Sequence, residues 1–234
     1  MGELFHTILS KPLLNLLIWF YNILPIADMG LAIIALTLLI RLILWPSFQK
    51  SLKSQRELQK LQPKLNEIKE KYKGDQEGQA KATMAMYKEH KVSPFSSCLP
   101  LLIQLPILIA LYQVFLTGLH GNVGGELYSF VADPGAINST FLGIVDLTKA
   151  NYIFAGLAGI FQFIQSKMIA PKIQDGQKDK MASLMSAQFT YFMPIITIII
   201  AARLPAGLSL YWAITTLFAI GQQYYIMRQR TDEP

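Results

Sequence analysis

Apolar residues in this chain fall in long runs rather than in short stripes. One run extends from Met29 to Trp45 (MGLAIIALTLLIRLILW), a second from Cys98 to Leu119 and a third from Tyr152 to Ile169. Two more, roughly Phe189 to Leu204 and Leu208 to Met227, are separated only by Pro205, Ala206 and Gly207. A helix needs about 20 apolar residues to cross a hydrocarbon core of about 30 Å, so the pattern predicts an all-α integral membrane protein with five transmembrane helices. The tight turn before Leu208 makes the last two spans antiparallel neighbours. Pro100, Pro106 and Pro194 lie inside spans, where neighbouring helices can satisfy the freed carbonyls.

Two further segments have other periodicities. The stretch Pro12 to Leu24 (PLLNLLIWFYNIL) is too short to cross, since its 13 residues reach about 20 Å as a helix. Its expected place is the membrane interface, with Asn15 and Asn22 on one face and Trp19 and Tyr21 at headgroup level. A sixth span turning at Pro25 to Asp28 is the rival reading. Between the first two spans, Leu58, Leu61, Leu65, Ile68 and Tyr72 alternate three and four apart, which draws an apolar seam on a helix. Gly74 and Asp75 break it, and Ala80, Met84 and Tyr87 give a returning arm a matching stripe, so the expectation is an antiparallel helical hairpin. Pro63 marks a break or a first-turn position. Such a hairpin can be a solvated connector or a capture surface for partner chains.

The expected organisation is an interfacial helix over 1–28, a first span over 29–48, the hairpin over 49–94, and four further spans over 95–230. These are joined by loops 120–151 and 170–184. Charge sets the orientation. Loop 46–97 holds eleven of the 21 Lys and Arg residues, whereas loop 120–151 has only Lys149 against Glu126, Asp133 and Asp146. The loop after Ala170 has Lys172, Lys178 and Lys180, and the tail has Arg228 and Arg230. Basic loops stay in the cytoplasm, so the N-terminus is expected outside and the C-terminus in the cytoplasm.

Composition agrees, with 52% apolar residues, 15% charged residues and a net charge of +6. Because the basic residues cluster between apolar runs, a DNA partner is not expected, and RNA contact would come only through a docked ribosome. The lone Cys98 excludes a disulfide framework and reads as a small buried side chain. Neither a cleavable signal pattern nor a cysteine for lipidation is expected at the N-terminus. The sequon Asn138-Ser139-Thr140 carries no weight by itself.

The chemistry concentrates on Arg41. A guanidinium inside a span costs roughly 2.5–3.5 kcal/mol even on the gentler insertion scales. Either it snorkels to inner-leaflet phosphates, or it lines a wetted hollow. Thr37 lies one turn away on the same face. Gln104, Gln162, Gln165, Ser166, Gln188, Ser209, Thr215, Thr216 and Gln223 are further polar residues in or beside the spans. Each alone suits an interhelical hydrogen bond; together with Arg41 they would line a hydrophilic groove. His6, His90 and His120 fall in three separate segments without metal-ligand spacing, no carboxylate lies within a span, and no phosphate-binding glycine loop is present. No enzyme and no cofactor is expected. Gly156 and Gly159 suit close helix packing.

Four blocks carry a family resemblance: TLLIRLILWP (37–46), LQPKLNEIKEKYKGD (61–75), CLPLLIQLPILIALY (98–112), and LPAGLSLYW with GQQYY (204–212, 221–225). In these the chain resembles the YidC-type membrane protein insertases, relatives of the mitochondrial oxidase-assembly and thylakoid insertases. The resemblance implies five helices around a groove open to the cytoplasm and to lipid but closed outside, with a mobile cytoplasmic hairpin. Arg41 matches the groove arginine, Thr37 and Trp212 match positions along the substrate path, and Leu105 and Leu108 match apolar contacts to the incoming helix. Gln104 and Gln165 join this lining, and Leu65, Ile68, Tyr72 and Met84 would form the capture surface of the hairpin. The implied partners are nascent membrane proteins, the bilayer, the secretion channel, the signal recognition particle pathway and the ribosome. The large external domain, first span and long basic tail of some relatives are not matched, which leaves tail-dependent ribosome docking in doubt. A small-solute channel or transporter, which usually shows an internal repeat, and a non-inserting assembly factor are the alternatives.

Overall fold

The computed structural model describes residues 2–93, 99–119, 123, 125–170 and 188–229. Its helices are α1 (Glu3–Phe5), continued by a π-helical turn (His6–Ser10) into α2 (Lys11–Ile23), then α3 (Met29–Ile43), α4 (Trp45–Lys60), α5 (Gln62–Lys71), α6 (Gln76–Glu89) and α7 (Leu99–Leu119). After a two-stranded hairpin, β1 (Thr140–Phe141) with β2 (Val145–Asp146), come α8 (Tyr152–Ile169), a π-helical turn (Gln188–Phe192), α9 (Met193–Ala201) and α10 (Ala206–Gln229). Cys98, His120 and 171–184 of the expected loop lie outside the described residues.

Local chemistry sets the boundaries. Asp28 caps α3, its Oδ1 accepting from Leu31 N at 2.9 Å, and Asn151 caps α8 by accepting from Ile153 N and Phe154 N. Helix α8 coincides with its apolar run and is by itself long and apolar enough to cross a bilayer. The first run does not continue straight. With Pro46 in the first turn of α4, the helix breaks at Leu44 and α4 departs from α3 at 63°.

The N-terminal helix extends ahead of the apolar stretch that starts at Pro12. It begins at Glu3, and one face of α2 is buried through Leu13, Leu14, Leu17, Ile18 and Tyr21, against α3 and α7. Its polar residues hold the long loop after α7. Asn15 donates to Glu126 O (3.0 Å) and accepts from Tyr128 N (2.6 Å), Asn22 donates to Ala132 O (2.7 Å), and Tyr21 Oη accepts from Asn138 N (2.8 Å). The pair of asparagines seven apart thus binds a loop, Asn15 from a buried position and Asn22 from an exposed one.

The last two helices also differ from the expectation of simple antiparallel neighbours. They touch mainly at their turn, where Ser209 Oγ donates to Ala201 O at 2.8 Å, and α8 packs against both. Gly159 permits that wedge, because a Cβ there would lie 2.2 Å from Ile198 Cγ1. The β-hairpin closes this end of the bundle: Ala206 N donates to Lys149 O and Gly207 N to Leu147 O, with Leu147 and Val123 fully buried beneath.

At the opposite end, α4, α5 and α6 form the basic hairpin. Pro63 occupies the first turn of α5, and Gly74, at φ +92°, makes the reversal that an L side chain resists. Asp75 caps α6. The seam residues Leu58, Leu65, Ile68 and Tyr72 are partly buried and Leu61 is buried. The stripe on the returning arm is rotated from the one expected: Met86 is its buried residue, while Ala80 and Met84 are exposed. A stripe of three residues, one of them alanine, fixes the facing direction poorly.

Candidate functional site: a covered arginine at the hairpin half of the bundle

Arg41 sits in the last turn of α3, just before the bend. It is only 7% exposed, so its side chain does not snorkel into open solvent. No carboxylate among the described residues pairs with it. Instead its guanidinium carbon lies 4.6 Å from the ring centroid of Phe48 on α4, a cation–π arrangement that holds a cation without a counter-ion. Tyr211 of α10, 2% exposed, is within electrostatic reach. The Tyr211 hydroxyl accepts from Gln104 Nε2 of α7 at 2.6 Å, so three helices bring a cation and two polar groups into the same layer.

Other expected groove residues divide. Thr37 is buried one turn from Arg41, but its hydroxyl donates to Ile33 O at 2.6 Å. Thr216 donates to Trp212 O in the same way. Such bonds satisfy a hydroxyl inside its own helix. Thr215 is buried beside the Tyr211 hydroxyl, and Gln223 Oε1 is buried without a partner among the described residues. Gln165 and Trp212 are partly buried, as is Leu108, which packs on the core. Leu105 is 45% exposed and belongs to a stripe on α7 with Leu102, Ile109, Tyr112 and Leu116, all exposed. The structure therefore joins Arg41 with Thr37 and, through Tyr211, with Gln104. It gives no contact between that group and Gln165, or the hairpin residues Leu65, Ile68, Tyr72 and Met84.

Phe48 and Tyr211 were not legible as site residues. Phe48 follows Arg41 by seven positions, which is the same face of a straight helix, and that spacing is the signal that could have found it. Tyr211 is hidden beside Trp212, the more conspicuous aromatic.

Helix α4 is latched across the ends of α8 and α10. Gln222 Nε2 of α10 donates to Trp45 O (3.2 Å), Arg56 Nη1 to Ile226 O (3.1 Å), and Gln59 Nε2 to Ile169 O. A cavity of about 60 Å³ remains between them, lined by Gln55, Arg56, Gln59 and Gln223 among others. At Ile226 and Ile169, near the C-terminal ends of α10 and α8, such donors satisfy late carbonyls and complement the helix dipole.

The sequence profile of the family described as 60Kd inner membrane protein matches residues 19–233. The membrane protein insertase YidC of Pelobacter propionicus is 34% identical over 97% of this chain and 40% of its own length. That of Fusobacterium nucleatum subsp. nucleatum is 37% identical over 87% of this chain and 88% of its own. Among solved structures, that of an active YidC insertase with its first transmembrane domain resolved superposes with a TM-score of 0.62 at 25% identity, covering 96% of this chain and 47% of that one. The chain thus spans less than half the length of the Pelobacter relative and of that structure's chain.

Proposed function

We propose, because the chain belongs to the 60Kd inner membrane protein family, that it is a membrane protein insertase which moves hydrophobic segments of nascent membrane proteins into the bilayer. The observation that carries this reading is Arg41, a cation buried among apolar helices with no carboxylate partner among the described residues. A cost of that kind is maintained where a charge acts on something that passes.

In this reading five helices, α3, α7, α8, the π turn with α9, and α10, cross an inner membrane, with the hairpin in the cytoplasm and loop 125–149 outside. The biased distribution of Lys and Arg supports the orientation, and the buried plug of Leu147 and Val123 beneath the loop supports closure on the outside. Helix α2 rests at the outer interface. The hairpin receives the client, whose apolar helix then slides along the exposed stripe of α7 while Arg41 attends its polar or acidic flank. Thr37, Gln104, Gln165 and Trp212 line the route, with Leu105 and Leu108 as apolar contacts. Burial of client surface supplies the drive, at about 25 cal/mol per Å², and no bond changes. The secretion channel, signal recognition particle pathway and ribosome are the partners of this route.

Liposomes holding only this protein and a single-span client test the reading. Protease-protected, membrane-integrated client is the expected result. Client that binds without protection identifies an assembly factor, and solute flux without insertion identifies a channel.

A further inference from the structure

We infer that Phe48 is the positioning residue for Arg41. Carried on the first arm of the hairpin, it covers the guanidinium while the arm is latched and uncovers it when the arm lifts. The inference rests on the reading of Arg41 as a charge that meets clients.

Phe48 and Ser51 are the residues that α4 buries, so Phe48 is that helix's buried apolar side chain. It is 8% exposed and Arg41 is 7% exposed, and each is covered in part by the other at 4.6 Å. An arm that needed only an apolar anchor would sink it among leucines; this one places an aromatic face on an unpaired cation. The bend of 63° at Leu44 lies between the two residues, so any change in that angle changes their distance.

The arm's polar attachments are of a kind that water can replace. Gln222 to Trp45 O, Arg56 to Ile226 O and Gln59 to Ile169 O are single hydrogen bonds at helix ends, and such bonds exchange with solvent at modest net cost. Beyond the bend itself, where the Trp45 ring packs on Phe218 and Tyr225, polar ties and the cation–π contact at Phe48 hold the arm down. A client segment bound to the hairpin that pulls on the arm would expose Arg41 to the client's own flank, coupling capture to the appearance of the charge. An acidic flank would then compete directly with the Phe48 ring for the guanidinium.

Arginine-selective modification with phenylglyoxal, quantified at Arg41 by peptide mass spectrometry on the full chain in liposomes, tests this. Exposed Arg203, at the turn between α9 and α10, serves as reference. Phe48→Leu keeps apolar bulk but removes the ring face, and should raise Arg41 modification about fivefold relative to Arg203, the factor expected for a partly desolvated cation–π contact. Phe48→Trp should stay at the parent level. Arg56→Gln with Gln59→Ala leaves Phe48 in place and loosens the arm, and should also raise modification. That pair keeps the test decisive if Phe48→Leu does not fold. Unchanged modification in Phe48→Leu and in the loosened pair, or an equal rise in the Leu and Trp variants, overturns the inference. Because labelling does not depend on insertion, that result leaves the insertase reading standing. The insertase reading fails separately, if Arg41→Ala inserts clients as the parent does.

Discussion

Asp28 joins two parts of the fold that hydrophobic pattern alone does not connect. It is 2% exposed; Oδ1 accepts from Leu31 N at 2.9 Å and Oδ2 from Leu142 N at 2.5 Å. The first bond caps α3, and the second holds the β-hairpin turn, where Leu142 adopts φ +53°, a region that L residues avoid. Asp28→Ala removes both. Losing the cap costs about 1 kcal/mol, and losing a bond from a buried backbone donor to a charged acceptor costs about 1.5–3 kcal/mol, for a total of about 2.5–4 kcal/mol. Asp28→Asn keeps an equally good cap but turns an amide donor toward the Leu142 donor, so it should lie between. Thermal unfolding in detergent, followed by tryptophan fluorescence, should show a fall in midpoint of roughly 5–10 °C for Asp28→Ala. Proteolysis within 140–146 should accelerate in parallel. An Asp28→Ala protein melting within about 1 °C of the parent, with an equally resistant hairpin, would refute the reasoning.

Three other expectations rest on separate features. A Cβ at Gly30 would stand 2.1 Å from Phe141 Cδ2, so Gly30→Ala should destabilise by about 1–3 kcal/mol in the same melting assay, and Phe141→Ala in that background should recover part of the loss. Asp146, on the loop, has its carboxyl pulled down to about 2 by hydrogen bonds from the Lys149 side chain first and Thr148 second. A depressed carboxyl stabilises above its unfolded pKa of about 4 and loses that contribution as pH falls toward 2. Asp146→Asn should therefore lower the midpoint slightly at pH 7, less at pH 3, with a small amplitude because the pair is solvent-exposed. Deleting Leu65 to Met84 should slow client capture in the liposome assay while leaving the melting midpoint of the bundle unchanged; unaltered insertion rates would make the hairpin a connector.

Much of the helical layout could be read from residue order because a bilayer demands long apolar runs. The run from Tyr152 to Ile169 is α8 to the residue, and the glycine at 74 is the hairpin reversal. What escaped reading depends on groups meeting across the fold. Asn15 and Asn22 present the same sequence signal whether they face water or a loop, and only the path of 125–138 decides it. The bend at Leu44 follows from Pro46, yet its angle depends on Trp45 being gripped by Phe218 and Gln222 of α10. At the site, Arg41 and Thr37 were legible from position within a span. Phe48 and Tyr211 were not, since their role comes from the bend and from α7 reaching α10 through Gln104. The cover over the guanidinium likewise has no counterpart in a hydropathy pattern.

The role of Arg41 is tested most directly by insertion kinetics. In liposomes containing the parent, Arg41→Lys or Arg41→Ala, a small single-span client with an acidic external tail is followed by protease protection. An acidic residue at the helix centre costs roughly 2.5–3.5 kcal/mol; if Arg41 offsets about half of this, Arg41→Ala inserts about tenfold more slowly, Arg41→Lys falls between, and a client with a neutral tail discriminates far less. Equal rates for all three proteins with the acidic client would contradict the account.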